Sequence, residues 1–240
     1  KPSRISKYLA AAKKAQQFIE GKLCDQDTLY VSFRRGKRGE KGFLDDYASY
    51  IFALLSLYDV TFDRSYLDRA EQITKKVILH YYDIEHGGFY LYGKENETLI
   101  FRPKECYDGA IPSGNSLMAY NLVRLNALIP SEKTEEILKK QLAYLSGEAE
   151  TYPAGYAMSL IALSDYLEPP IRITVVRNED DLCELPFLVP SNGVVRILEE
   201  ATEEYKLLDG QTTFYVCRNH RCLPPMDQQK FMVESKQENA

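Results

Sequence analysis

The chain of 240 residues contains no tryptophan and only three histidines. No run approaches the roughly 20 consecutive apolar residues that a membrane-spanning helix needs. Basic residues are not in excess, since 30 Lys and Arg stand against 35 Asp and Glu, for a formal net charge of -5. These deficits argue against an integral membrane protein and against a nucleic-acid-binding protein.

The five cysteines are odd in number and mostly far apart in the sequence, which is typical of reduced thiols in a reducing compartment. The first residues, KPSRISKYLAAAKKAQQF, lack the apolar core of a signal peptide. We therefore expect an intracellular protein, either cytoplasmic or, in a eukaryote, mitochondrial. The content of 45% hydrophobic residues is sufficient for one large buried core.

Apolar residues recur at three- and four-residue steps along most of residues 1–168, which predicts amphipathic helices. Charged helices alternate with nearly all-apolar ones. The charged helices are predicted over residues 3–23, from Asp63 and from Ser131, and the apolar ones begin near Asp46, Asp108 and Tyr152. The repeat unit is therefore a pair of helices, and glycine-marked segments with strand-like patterns separate the helices of the first two pairs.

The pattern changes after the Glu-Pro-Pro segment at residues 168–170, because a proline pair ends a helix. The runs IRITVV, GVVRIL and TFYVC predict strands, and DDLCELPFLVP predicts a helix between the first two. The predicted fold is mainly α. Three helical hairpins with short β-hairpin loops occupy residues 1–168, a small α/β module with a three-stranded parallel sheet occupies 171–226, and a polar tail occupies 227–240.

The segment YDGAIPSGNSLMAY, which begins at Tyr107, joins turn and ligand-binding residue types directly to an apolar helix. One interpretation is structural: Ser113 or Asn115 caps the helix, and Gly109 and Gly114 permit a tight turn. The other interpretation is functional, because a second apolar helix also begins with carboxylates, in GFLDDYA.

If the apolar helices run in the same direction, their N-termini meet at one mouth of a cavity. Carboxylates there can bind sugar hydroxyls or act as acid and base. The candidate catalytic residues are Asp46 and Asp108, and the candidate ligand-binding residues are Asp45, Tyr107, Ser113 and Asn115. Successive helical side chains point about 100° apart, so Asp45 and Asp46 cannot both face the cavity. Asp46 directly precedes Tyr47 on the apolar stripe, so we expect Asp46 to face the cavity and Asp45 to cap its helix.

Four segments, GFLDDYA, RPKECYDGAIPSGNS, EPPIRITVV and TTFYVCRNHRCLPPMD, together resemble the C-terminal region of the YyaL-like, spermatogenesis-associated thioredoxin-like proteins. The resemblance implies a thioredoxin-fold domain followed by an (α/α)6 toroid like that of N-acylglucosamine 2-epimerases and related glycosidases. This chain would then hold the second half of the toroid and a C-terminal appendage. Its expected partner is the N-terminal half of the toroid, in the same protein or in a separate chain.

The chain departs from that family pattern in ways that limit what the resemblance implies. It has no Cys-x-x-Cys motif, so it carries no thioredoxin chemistry, and no cofactor is predicted. Epimerase toroids use histidines on inner helices, whereas His80 and His86 flank the end of a charged helix. The cluster of Cys217, His220 and Cys222 lacks the usual zinc-ligand spacing and a fourth ligand, so reduced structural thiols are predicted there and no metal site.

Two functions remain open on the sequence alone, and whether the chain is part of an enzyme is not decided. In the first, the toroid resembles carbohydrate-active enzymes and binds a sugar-like small molecule at its mouth through carboxylates. In the second, the chain is a non-catalytic binding or scaffolding module for the attached thioredoxin-like domain. Fold analogy does not choose between them.

Overall fold

The computed structural model of the chain describes residues 4–96, 100–178, 193–218 and 221–238. The chain divides into two compact units. The first comprises Lys1–Val123 with Ser131–Ser164, and the second comprises Arg124–Pro130 with Asp165–Ala240. No helix among the described residues combines the length and apolar character needed to cross a bilayer.

The helices follow one another as three pairs, which confirms the predicted mainly α fold with its helical hairpins. Their bounds are α1 Arg4–Phe18, α2 Leu44–Thr61, α3 Arg64–Tyr81, α4 Gly114–Leu128, α5 Glu132–Ala149 and α6 Ala157–Leu167. A π-helical turn at Ile19–Leu23 extends α1, and a 3-10 turn at Pro153–Tyr156 precedes α6.

Burial follows the sequence periodicity in α3, the charged helix of the second pair. Asp63 is its N-cap, as predicted, and its side chain accepts a hydrogen bond of 3.0 Å from the backbone N–H of Ser65. The buried positions Leu67, Ala70 and Val77 lie on one face, so charged residues cover the rest of the helix.

The core of the first unit lies around α2 and α4, the apolar helices of the first two pairs. Its largest fully buried side chains include Tyr47, Ile51, Leu54, Leu67, Ile73, Met118 and Leu122. The third apolar helix, α6, differs, since Leu160 and Ile161 remain 37% and 50% exposed. Its apolar composition is therefore not matched by burial.

The loop between α1 and α2 contains two small antiparallel hairpins. Strands β1 (Cys24–Asp25) and β2 (Thr28–Leu29) form the first, and β3 (Phe33–Arg34) and β4 (Lys37–Arg38) form the second. The predicted hairpin structure of this loop is confirmed. In the loop between α3 and α4, the described residues 82–96 and 100–113 contain an isolated bridge between Tyr82 and Phe89 but no strand.

The second unit is built on a mixed four-stranded sheet in the order β6-β5-β7-β8. The strands are β5 Ile171–Val176, β6 Gly193–Leu198, β7 Thr213–Arg218 and β8 Arg221–Cys222. Strands β5 and β6 are parallel, with Ile173 opposite Val195, but β7 is antiparallel to β5, with Ile173 opposite Val216.

The prediction of a three-stranded parallel sheet was therefore wrong in strand number and direction. A parallel return from β6 to the far side of β5 needs a crossover of a dozen or more residues, usually a helix. Residues 199–212 instead form bends and turns. The predicted helix DDLCELPFLVP lies outside the described residues.

Two cysteines of the second unit form a disulfide, which corrects the prediction of reduced thiols at this position. Cys217 and Cys222 are directly opposed on β7 and β8, and this cross-strand pairing brings their side chains together. His220 lies outside the described residues. Cys24 and Cys106 are free and buried, in agreement with reduced thiols elsewhere in the chain.

The last described element is helix α7, Gln228–Glu238, within the segment predicted as a polar tail. Phe231 on this helix stacks on Phe214 of β7, with ring centroids 4.4 Å apart. Both rings are buried, so the beginning of this segment belongs to the core of the second unit.

Candidate functional site

Two carboxylates connect the N-termini of the three apolar helices. Oδ1 of Asp45, in the first turn of α2, accepts a hydrogen bond of 2.6 Å from the backbone N–H of Gly114, the first residue of α4. Asp108 accepts two, from Ser113 N at 2.9 Å and from Met158 N, in the first turn of α6, at 2.8 Å. The helix N-termini predicted to converge are thus joined directly, through donors that have no partner within their own helices.

The cap of α2 is Asp46 and not Asp45. Asp46 Oδ2 accepts a hydrogen bond of 2.8 Å from the backbone N–H of Phe43, which makes Asp46 the capping-box residue of α2. The prediction that Asp45 is the cap was wrong. Asp46 is at helix position N3, from which a side chain reaches back to the N-cap residue Phe43. Asp45 is at position N2, and its side chain reaches Gly114 of α4 instead.

The Asp45 carboxyl lies in a drier environment than an exposed aspartate. Burial is the main factor that raises its pKa above the ordinary value, and the negative charge of Asp46 adds to the increase. The hydrogen bond from Gly114 opposes the shift, because it favours the ionised form. Asp45 therefore takes up a proton more readily than an exposed aspartate does.

Gly114 is required at the start of α4 by a close contact rather than by its backbone conformation. A Cβ atom at this position would meet the Asp45 carboxylate, and it would lie 2.9 Å from Leu44 Cγ. Neither Gly109 nor Gly114 has a positive φ. The glycine thus allows the N-termini of α2 and α4 to approach each other.

Ser113 and Asn115 lie in the interior, which corrects the prediction that they contact a ligand. Ser113 is the N-cap of α4, since its Oγ accepts a hydrogen bond of 3.2 Å from Ser116 N. Asn115 is fully buried, and its amide exchanges hydrogen bonds of 2.7 and 2.8 Å with the backbone of Phe89. Both side chains are used in the structure itself, as the structural interpretation of this segment requires.

Tyrosines surround the linked N-termini on the exposed side. Tyr107 is 59% exposed and contacts Tyr156 edge to face, with ring centroids 6.3 Å apart. The Tyr107 ring covers Gly155, where a Cβ atom would lie 2.6 Å from Tyr107 Cε2. Tyr152 is 57% exposed. Tyr107 is the predicted ligand-binding residue whose side chain the structure leaves most accessible to solvent.

A buried ionic cluster that the sequence did not reveal holds the loop before α4. Asp83 accepts hydrogen bonds from Lys104 Nζ at 2.7 Å and from Tyr90 Oη at 2.8 Å. Burial opposes ionisation of Asp83, but these bonds and the backbone N–H groups of Glu85 and His86 outweigh it and hold its pKa far below the usual range. The sequence signal was weak, because Asp83 and Lys104 are separated by the whole glycine-rich turn.

The described histidines lie away from the apolar helices, as the sequence predicted. His80 Nε2 is 3.6 Å from Glu95 Oε1, and His86 Nδ1 is 3.4 Å from Asp83 Oδ2. Within the described ranges, no group of three or more His, Cys, Asp or Glu side chains is arranged to hold a metal ion.

Comparison with solved structures returns helical enzymes. Cellobiose 2-epimerase from Bacillus thermoamylovorans matches 57% of this chain and 38% of its own, with a TM-score of 0.47 and 19% identity. The enzyme of the same name from Spirochaeta thermophila matches 58% and 37%, with a TM-score of 0.45 and 18% identity. No protein-family model matches the chain.

Comparison with curated sequences identifies the relatives. An uncharacterised protein of Caenorhabditis elegans is 30% identical over 166 residues, which are 66% of this chain and 22% of that protein. Human spermatogenesis-associated protein 20 is 25% identical over 213 residues, which are 77% of this chain and 26% of that protein. The rat protein of the same name is 40% identical over 91 residues, which are 36% of this chain and 11% of that protein. The family resemblance of the sequence motifs is thus confirmed. The chain spans about a quarter of the length of the first two relatives.

Proposed function

We propose that the linked N-termini of α2, α4 and α6 form one side of a binding site for a small polyhydroxylated, sugar-like ligand. The observation that carries the proposal is that the carboxylates of Asp45 and Asp108 are fixed at linked helix N-termini, and that Asp108 directly follows the exposed Tyr107 in the chain. The proposed setting is a helical toroid of which this chain forms a part.

The chemistry of these groups suits a sugar. Each carboxylate oxygen has two lone pairs, so an oxygen of Asp108 that accepts one backbone N–H can still accept a hydrogen bond from a hydroxyl. A tyrosine ring covers the apolar face of a sugar and offers a hydroxyl at its edge. The hydrogen bonds to Ser113 and Met158 hold the Asp108 carboxylate in place, so little conformational freedom is lost on binding.

The proposal is for binding, and it uses the predicted residues unequally. Asp45, Asp108 and Tyr107 contact the ligand, whereas Ser113 and Asn115 support the site from the interior. Catalysis by Asp46 and Asp108 stays a prediction. Burial raises the pKa of Asp45, so this carboxyl keeps a proton to higher pH than an exposed aspartate, as a general acid must.

A second candidate function is the non-catalytic scaffold. It is favoured by the structural use of both Asp108 oxygens, each of which already accepts a hydrogen bond from a backbone N–H group. It is also favoured by the length of the relatives, since most of each lies outside the matched region. In this alternative the chain supports the thioredoxin-like domain that the family resemblance implies.

Sugar binding by the purified protein distinguishes the two candidates. D-glucose, D-mannose, N-acetyl-D-glucosamine and cellobiose serve as probes in saturation-transfer NMR and calorimetry. Replacing Tyr107 by Ala should weaken binding about tenfold, or about 1.4 kcal/mol, with little loss of stability because the side chain is exposed. The matched control is Tyr8→Ala on α1, where Tyr8 is 69% exposed.

Loss of affinity in Tyr107→Ala but not in Tyr8→Ala supports the binding site. If the parent protein binds none of the four sugars, or if both variants lose affinity equally, the sugar site is rejected and the scaffold is favoured.

A further inference from the structure

The second hairpin of the first unit, formed by β3 and β4, is a compact basic projection. Arg34 is paired with Lys37 and Phe33 with Arg38 across the two strands. The turn residues Arg35 and Gly36 both have positive φ, of 51° and 80°. This combination defines a two-residue turn of the type that matches the twist of the flanking strands, so the cations are held on a defined backbone.

A shallow groove of about 600 Å³ runs along one face of this hairpin. Its walls include the rings of Tyr30 and Phe33, each with a cation above it. Lys22 Nζ is 5.5 Å from the centre of the Phe33 ring, and the Arg38 guanidinium is 5.4 Å from the centre of the Tyr30 ring. The groove therefore combines apolar walls with positive charge.

The charge of the hairpin is concentrated and largely unneutralised. Residues 33–38 hold four of the 30 basic residues and no acidic one, which leaves 26 basic against all 35 acidic residues elsewhere. Arg38 has a structural use, since it lies 3.4 Å from Asp25 and donates to the backbone carbonyl of Lys22. Among the described residues, the exposed cations Arg34, Arg35 and Lys37 form no ion pair with a carboxylate.

We propose that this basic hairpin and its groove dock an acidic, extended segment of a partner protein. Lys37 and Arg38 line the groove with Phe33, whereas Arg34 and Arg35 are not among the residues that line it. The cations consequently do not converge on one point, as a single phosphate group would require. They suit a chain with several carboxylates that follows the hairpin and places an apolar side chain in the groove between Tyr30 and Phe33.

The site is separate from the sugar-like site, since none of its residues takes part in the linked helix N-termini. The two proposals can therefore fail independently. The net charge of -5 opposes the approach of an acidic partner, but the positive charge of the hairpin is local and outweighs it at short range, because more distant charges are screened by salt.

The test uses a short fluorescein-labelled peptide rich in Glu and Asp with a central Leu, and fluorescence anisotropy measures its binding. The triple variant R34E/R35E/K37E should weaken binding at least about tenfold, and the affinity of the parent protein should fall between about 50 and 300 mM salt as screening increases. The milder variant R34Q/R35Q/K37Q should have a smaller effect in the same direction. Circular dichroism checks that both variants are folded.

The matched control reverses three exposed lysines away from the hairpin, Lys7 and Lys14 on α1 and Lys133 on α5. The variant K7E/K14E/K133E changes the net charge by the same amount as the hairpin variant, and it should retain peptide binding within about twofold, as expected for distant exposed charges.

Three results overturn the proposal. The parent protein fails to bind the peptide, the hairpin and control variants lose affinity equally, or the hairpin is required instead for binding to vesicles of phosphatidylcholine with phosphatidylserine. Light scattering adds a fourth: if R34E/R35E/K37E abolishes a dimer of the parent protein, the hairpin docks a second copy and not a separate acidic partner.

Discussion

Replacing Asp108 by Asn should destabilise the protein, because one side chain joins two helix N-termini. The carboxylate accepts hydrogen bonds from Ser113 N and Met158 N through different oxygens. An asparagine keeps one oxygen and presents an NH₂ group to the other N–H, so one bond is lost and two donors face each other. The sequence alone predicts little cost, since a single amide oxygen is enough to cap a single helix.

The size of the effect follows from the bond that is lost. A hydrogen bond to a charged group contributes about 1.5–3 kcal/mol, and the negative charge near a helix N-terminus adds about 0.3–1 kcal/mol. We expect Asp108→Asn to lower the free energy of unfolding by about 2–3 kcal/mol. For a chain of this length, that corresponds to a decrease of roughly 4–12 °C in Tm. Asp108→Ala, which loses both bonds, should be at least as destabilising.

Urea unfolding followed by circular dichroism measures the change, with Asp46→Asn as the matched control. Asp46 is also an aspartate in the first turn of an apolar helix, but its carboxylate caps that helix by accepting one hydrogen bond, from Phe43 N, and an amide oxygen can accept the same bond. Its replacement should cost less than about 1 kcal/mol. Equal and small losses in the two variants would show that the Asp108 bridge contributes nothing beyond an ordinary cap.

Two further predictions concern the contact between Asp45 and Gly114. Gly114→Ala should destabilise the protein by about 1–3 kcal/mol through overpacking against Asp45 and Leu44, although alanine is the better helix former. In the control Gly147→Ala, no atom lies within 4 Å of the new Cβ, so this variant should be more stable by up to about 1 kcal/mol. If urea unfolding shows that Gly114→Ala is stabilised as well, the close contact is contradicted. Because the pKa of Asp45 is raised on folding, the native state binds the extra proton, and the stability contribution of this group falls as pH rises from its unfolded pKa through its folded pKa. Asp45→Asn should lack this decline, so the Tm of the variant relative to the parent should increase with pH in that window. If scanning calorimetry gives a Tm difference that does not change with pH, the raised pKa of Asp45 is contradicted.

The helices and their pairing were predictable because the signals for them are local. Apolar spacing marks the buried face of α3, and Asp63 marks its start, within the same few residues that form the helix. Alternation of charged and apolar helices then predicts which ones form the core. This reasoning fails at α6, where exposed Leu160 and Ile161 show that apolar composition alone does not determine burial.

The direction of β7 could not be predicted from its residues. A strand of six residues with mostly buried side chains has the same composition whether it runs parallel or antiparallel to its neighbour. What decides the direction is the connection from β6, and residues 199–212 contain no helix in the structure. Similarly, the cysteine count favoured reduced thiols, whereas the pairing of β8 with β7 places Cys222 opposite Cys217.

The candidate site shows the same limit, since sequence located its carboxylates but not their partners. Asp45 bonds to a residue 69 positions later, and Asp108 bonds to one 50 positions later. Neither separation is visible in a local pattern. The neighbouring Asp46 was preferred for the cavity because it precedes the apolar stripe, but proximity to its own N-cap determined its role.

The two bridging carboxylates are equivalent steps of one repeated arrangement. Asp45, at the start of α2, holds the N-terminus of α4, and Asp108, just before α4, holds the N-terminus of α6. Each apolar helix is thus fixed to the next by an acidic residue at its head. The segment TYPAGYAMS at the head of α6 contains no acidic residue, so the arrangement does not continue from α6 by the same means. The two bridges therefore fix the N-termini of α2, α4 and α6 to one another, and side chains held in this way are what the proposed site for a polyhydroxylated ligand requires.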